Sequence, residues 1–117
     1  MRVHLLIAAL VVSACGGHDS TTTPPGSSNK TLDVFTIGDA FIPTFPPISV
    51  GDTVRWNFAG GSDGQGHNVR FSPRTSTTPA DINVLKTGTA SRVFTAVGTY
   101  SYVCDVHPGM NAQIIVQ

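Results

Sequence analysis

Glutamate is absent from this chain, and its acidity rests on seven aspartates that seven lysines and arginines balance to a formal net charge of zero. Charged residues make up only 12% of the 117 positions and form no run of either sign, so the concentrated basic face of a nucleic-acid binder is missing. Long apolar runs are missing too. Leu5–Val12 (LLIAALVV) is far short of the roughly 20 apolar residues a membrane-crossing helix needs. Apolar residues recurring at helical spacing are lacking beyond one turn, apart from a short stretch near Pro79–Ile82. With two cysteines there is no disulfide framework. What is present is 40% apolar content with 12 glycines and 8 prolines, enough for one modest core built from strands and turns.

The first thirty residues read as an address and a tether. Arg2 precedes the apolar run, a pattern that suits a signal-peptide core. Val12-Ser13-Ala14-Cys15 resembles a bacterial lipobox, in which the cysteine is acylated and becomes the mature N-terminus. The alternative is an ordinary signal peptide cut near Ala14, with Cys15 as a spectator. The expected organisation is therefore a lipoprotein-type signal peptide over 1–14, a lipidated Cys15 with a flexible linker over 15–30, and a folded domain over 31–117. The linker, GGHDSTTTPPGSSNK from Gly16 to Lys30, has too little apolar surface to offset the entropy of ordering it. His18 within it is read as a solvated linker residue. An acyl anchor of this kind places the domain at a membrane, in the periplasm or on the outer face of a cell.

From Thr31 on, short runs of β-branched and aromatic residues alternate with Gly, Pro, Asp and Asn. The reading is all-β: an antiparallel Greek-key sandwich or barrel of about eight strands. They fall at Thr31–Ile37, Pro47–Val50, Thr53–Phe58, His67–Phe71, Ile82–Lys86, Ala90–Phe94, Gly98–Val103 and Ala112–Val116. In Val54, Trp56 and Phe58 the apolar side chains alternate with Arg55 and Asn57, so one face of that strand is buried and the other wetted. The same period of two puts Tyr100, Tyr102 and Cys104 on one face. The prolines of Phe41–Pro47 (FIPTFPP) bear on how the early strands pair, and the polar stretch Ser72–Asp81 receives no role.

The chemistry concentrates in Cys104-Asp105-Val106-His107-Pro108-Gly109-Met110, with His67 far upstream. A Cys and a His three apart at a strand exit can turn toward one point. A Met three further on can approach it if the loop is tight, as Pro108 and Gly109 make it. Zinc does not usually take a thioether, whereas one thiolate, two imidazoles and a weak axial thioether match blue copper. A Cys–His pair can also be a thiol nucleophile with its base, but nothing marks an oxyanion pocket or an orienting partner for the histidine. The glycines of Gly60–Gly66 are no phosphate cradle, because no Lys-Ser or Lys-Thr follows and a strand comes next.

With these residues in place, the chain from about Thr31 to Gln117 resembles a cupredoxin of the plastocyanin, pseudoazurin and amicyanin type. The matching segments are Val50-Gly51-Asp52-Thr53-Val54-Arg55-Trp56, Gly66-His67-Asn68-Val69, Gly98 to Cys104, and the Cys104–Met110 loop. The short loop and Pro108 after the histidine are similar to amicyanin. The resemblance implies one copper ion with His67, Cys104 and His107 as equatorial ligands and Met110 as the axial one. It also implies that Asn68 braces the loop after the cysteine. Asp105, where many relatives carry Thr, Ser or Glu, adds a negative charge near the metal.

The function implied is a non-enzymatic carrier of single electrons, expected to be a monomer, meeting donor and acceptor proteins through a transient interface near His107. Pro108, Gly109, Phe41 and Ile42 are the expected docking patch. Nitrite or oxygen reduction would need further copper sites, and His67 and His107 are already used. The rival reading is an envelope protein that stores or delivers copper without electron-transfer turnover; such a carrier would more often show Met- or His-rich tracts.

Overall fold

The computed structural model describes residues 29–117, so the expected signal peptide, Cys15 and nearly all of the linker lie outside the described residues. Nine strands follow in chain order: β1 Thr31–Ile37, β2 Ala40–Ile42, β3 Pro47–Ile48, β4 Thr53–Phe58, β5 His67–Phe71, β6 Ile82–Leu85, β7 Gly88–Val93, β8 Gly98–Val103 and β9 Asn111–Val116. They form a four-stranded sheet ordered β2-β1-β4-β7 and a five-stranded sheet ordered β3-β9-β8-β5-β6. The expected all-β fold is therefore found, as two sheets face to face and not as a closed barrel. It is also not wholly antiparallel, since β1 pairs with β4 and β3 with β9 in parallel.

The alternation read from the sequence decides which side chains meet between the sheets. Val34, Val54, Trp56 and Phe58 from one sheet and Val69, Phe71, Tyr100, Tyr102, Ala112, Ile114 and Val116 from the other are all buried. Trp56 is the centre of this layer, its ring edge-on to Tyr102 at 5.7 Å and to Phe71 at 6.2 Å, the arrangement that aromatic quadrupoles favour. Arg55 points outward and forks onto Asp33 of the neighbouring strand, with Nε 2.6 Å from Oδ1 and Nη2 2.8 Å from Oδ2.

Three expectations are corrected. A strand absent from the sequence reading, β2, runs antiparallel to β1 with Phe35 opposite Ile42. Only three residues long and directly followed by Pro43, it is too short to show a pattern. Pro47–Val50 shrinks to Pro47–Ile48 because Ser49 and Asp52 already belong to a turn, in which the Asp52 carboxylate accepts the Ser49 N–H at 2.9 Å. No helical turn forms near Pro79–Ile82, where Ile82 opens β6. The Ser72–Asp81 stretch before it is held by guanidinium groups, Arg74 on the Asp81 carboxylate at 2.6 Å and Arg92 on the carbonyls of Ala80 and Asp81 at 2.7 and 2.6 Å.

Candidate metal centre

The two sheets bring residues distant in sequence to one end of the sandwich. His67 is the first residue of β5, and the β5–β6 register shifts between His67 and Val69, an irregularity of the kind that re-aims a side chain at a strand end. Cys104 follows the last residue of β8, on the inward face that Tyr100 and Tyr102 continue. The loop after it is closed by its own backbone: the Cys104 N–H donates to the Met110 carbonyl at 2.9 Å and the Met110 N–H to the His107 carbonyl at 3.1 Å. Gly109 takes φ 85°, a left-handed conformation that a side chain disfavours, and so permits the tight return.

The result is a compact donor set. His67 Nδ1 lies 3.8 Å and His107 Nδ1 3.6 Å from Cys104 Sγ, with the imidazole centroids 4.5 Å apart. The ligand atoms of the three residues all lie within 4.8 Å of one another, and all three residues are buried. One thiolate and two imidazole nitrogens at this spacing fit a single copper ion. Met110 is also buried, at the far end of the closed loop.

The surroundings prepare these donors. Burial would push the Cys104 thiol up, but N–H groups of Asn68, His107 and Val106 and the His107 ring outweigh it and hold the thiol below its ordinary value. Burial, helped by the neighbouring His107, keeps His67 below the usual histidine range, which favours the neutral ring, with one nitrogen lone pair open to a metal. His107 is drawn the other way, upward, by the Cys104 sulfur and then the Asp63 carboxylate.

Asn68 and Asp105 meet beside the sulfur. Asp105 N–H donates to Asn68 Oδ1 at 2.7 Å, and Asn68 Nδ2 donates to Asp105 Oδ2 at 2.9 Å. The charge of Asp105 is not loose, because Arg70 Nε and Nη2 both lie 2.6 Å from its Oδ1.

The four residues expected to form a docking patch differ in exposure. Pro108, Gly109 and Ile42 are exposed, but Phe41 is 1% exposed, with its ring 4.8 Å from Tyr102. Phe41 and Ile42 are consecutive on β2 and so face opposite sides. Nor is the outer edge of His107 surrounded by apolar groups alone: its Nε2 lies 3.2 Å from Asp63 Oδ1 and 3.5 Å from Asp39 Oδ1. Sequence reasoning missed both aspartates. The only local sign was an Asp set among glycines just before His67.

Residues 38–117, more than half of the chain, match the plastocyanin/azurin family of copper binding proteins. Comparison with curated proteins gave no match. Among solved structures, the chain is similar to a copper-containing nitrite reductase from Thermus scotoductus SA-01, with 26% identity and a TM-score of 0.64 over 74% of this chain. It spans 22% of that larger protein. It is also similar to a reduced Cu(I) form of an amicyanin mutant, with 27% identity and a TM-score of 0.61, over 74% of this chain and 82% of that one. The Cu(I) form of a second amicyanin mutant gives 25% identity and a TM-score of 0.62, covering 80% of this chain and 95% of the other. Sequence, fold and the converging donors agree: the chain belongs to the plastocyanin/azurin family of copper binding proteins, and the ion that His67, Cys104 and His107 fit is copper.

Proposed function

We propose that this protein carries single electrons between redox partners in the bacterial cell envelope. The observation that carries the reading is the buried convergence of one cysteine sulfur and two imidazole Nδ1 atoms on a loop that its own backbone bonds hold shut. Copper, when bound, supplies a one-electron couple. The chain's contribution is rigidity. His67 is fixed at the start of β5 and Cys104 just past the end of β8, Asn68 ties their segments together, and Met110 would add a weak thioether donor. A site that does not rearrange between oxidation states exchanges electrons quickly.

The partners are a donor and an acceptor protein that meet the loop side near His107, where Pro108 and Gly109 are exposed. Interfaces of this kind are small and short-lived. The protein acts as a monomer without catalysis of its own. Residues 1–14 direct export, and an acyl chain on Cys15 with the linker over 15–30 holds the domain at a membrane. If so, the mature protein begins with an acylated Cys15, which mass spectrometry of membrane-associated protein detects; an unmodified N-terminus would contradict the anchor.

Stopped-flow mixing of the copper-loaded protein with a reduced and then an oxidised small-molecule mediator tests the carrier reading. Rapid, reversible change over many cycles with copper retained supports it. Copper surrendered to a chelator during cycling would favour storage or delivery instead.

A further inference from the structure

The two histidines differ at the nitrogen that faces away from Cys104. His67 Nε2 is fully buried and has no hydrogen-bond partner among the described residues. His107 Nε2 meets two carboxylates, Asp63 Oδ1 at 3.2 Å and Asp39 Oδ1 at 3.5 Å. We propose that Asp63, with Asp39 behind it, is a positioning residue that fixes the His107 ring and makes its Nδ1 a stronger donor to copper.

Both carboxylates are held in place by other groups. Asp39 Oδ1 accepts the Ser62 N–H at 3.1 Å and its Oδ2 the Ser62 hydroxyl at 2.6 Å. Asp63 Oδ1 accepts the Gln65 N–H at 2.8 Å. The loop carrying Ser62 and Asp63 is closed by Gly61 N–H to Gln65 O at 2.7 Å and Gly64 N–H to Gly61 O at 2.9 Å. It is anchored to β1 through Thr36, whose hydroxyl oxygen accepts the Ala59 N–H at 2.8 Å. The ring lies directly against this loop, because a Cβ on Gly61 would sit 2.5 Å from His107 Nε2 and 3.1 Å from Asp39 Oδ1. Absence of a side chain at Gly61 is thus what lets imidazole and carboxylates meet.

Because a carboxylate can only accept, the contact with Asp63 calls for the tautomer in which Nε2 bears the proton and donates its N–H, leaving the Nδ1 lone pair on the sulfur side. A carboxylate accepting that bond fixes the tautomer and raises the basicity of the coordinating nitrogen. Two negative charges at this edge stabilise the doubly charged metal more than the singly charged one, which lowers the reduction potential. Solvent weakens the effect, since the aspartate side chains are 42% and 49% exposed.

The inference rests on His107 being a copper ligand, so the test starts from full-length protein whose thiolate–copper colour is established; a colourless parent would refute the ligand reading, not this one. In the reduced, copper-loaded protein, NMR should find the His107 Nε2–H protected from solvent exchange. Protection should be lost in Asp63→Ala and retained in Asp63→Asn, whose carbonyl still accepts the bond. The reduction potential should rise in Asp63→Asn and rise further in the Asp39→Asn/Asp63→Asn pair. Asp105→Asn, which removes a charge that Arg70 already pairs, should move it less. Cu(II) affinity should fall about tenfold or more in Asp63→Ala. Fast exchange of the proton in the parent protein, or a double variant with the parent's potential, would overturn the proposal.

Discussion

Asn68 and Asp105 grip each other twice, backbone N–H to side-chain oxygen at 2.7 Å and side-chain amide to carboxylate at 2.9 Å, although 37 positions separate them. Each follows a copper-binding residue directly, so this pair of bonds sets the separation of His67 and Cys104. Asn68→Ala removes both bonds and leaves the Asp105 N–H without its acceptor. We expect a loss of about 1–3 kcal/mol in thermal or denaturant unfolding and a 10- to 100-fold weaker hold on copper in chelator competition. An unchanged affinity would show that the strands alone set the separation.

Gly66 stands immediately before His67, and a Cβ there would lie 2.6 Å from the Leu85 carbonyl oxygen and 2.9 Å from the Lys86 nitrogen, both backbone atoms of β6 and the turn after it. Backbone cannot swing aside as a flexible side chain can. Gly66→Ala should therefore cost about 1–3 kcal/mol in stability and displace His67, with weaker copper binding measured alongside. Parent-like stability would mean that this end of β6 yields easily.

The Asp33 carboxyl titrates below its ordinary range because Arg55, and after it Asn57, hydrogen-bond the anion. A lowered folded value means that acid protonates the unfolded chain first. The contribution is complete above the unfolded carboxylate pKa of about 4 and is lost as pH falls through the lower folded value. Asp33→Asn should accordingly be somewhat less stable than the parent at neutral pH, and the difference should close in strong acid. The gap at neutral pH will be small, because the ion pair is exposed. A gap that widened on acidification would contradict the assignment.

Much of this was legible in the sequence, and the reasons are local. Val54, Trp56 and Phe58 sit on the buried face that their alternation predicts, and Cys104 inherits its inward direction from Tyr100 and Tyr102. The ligand loop is legible because its chemistry is packed into consecutive positions. Phe41 and Ile42 were not legible as one buried and one exposed residue: a three-residue strand among prolines carries no period. Asp63 and Asp39 escaped for a different reason. Asp63 lies 44 positions from His107, and only the pairing of sheets brings the two together.

Met110 is buried at the closing position of the loop, and the proposed site would use its thioether as a weak fourth donor. Met110→Leu should leave the intense visible band largely in place while moving the reduction potential, as measured by redox titration. Complete loss of copper binding would show that Met110 does more than tune the site.

The central claim is that Cys104, as a thiolate, holds copper together with His67 and His107. The most direct measurement is the visible absorption spectrum of the purified protein after addition of Cu(II). We predict an intense visible thiolate–copper band that a mild reductant bleaches and that Cys104→Ser abolishes. A protein that stays colourless, or that binds copper with the same spectrum after Cys104→Ser, would contradict the claim.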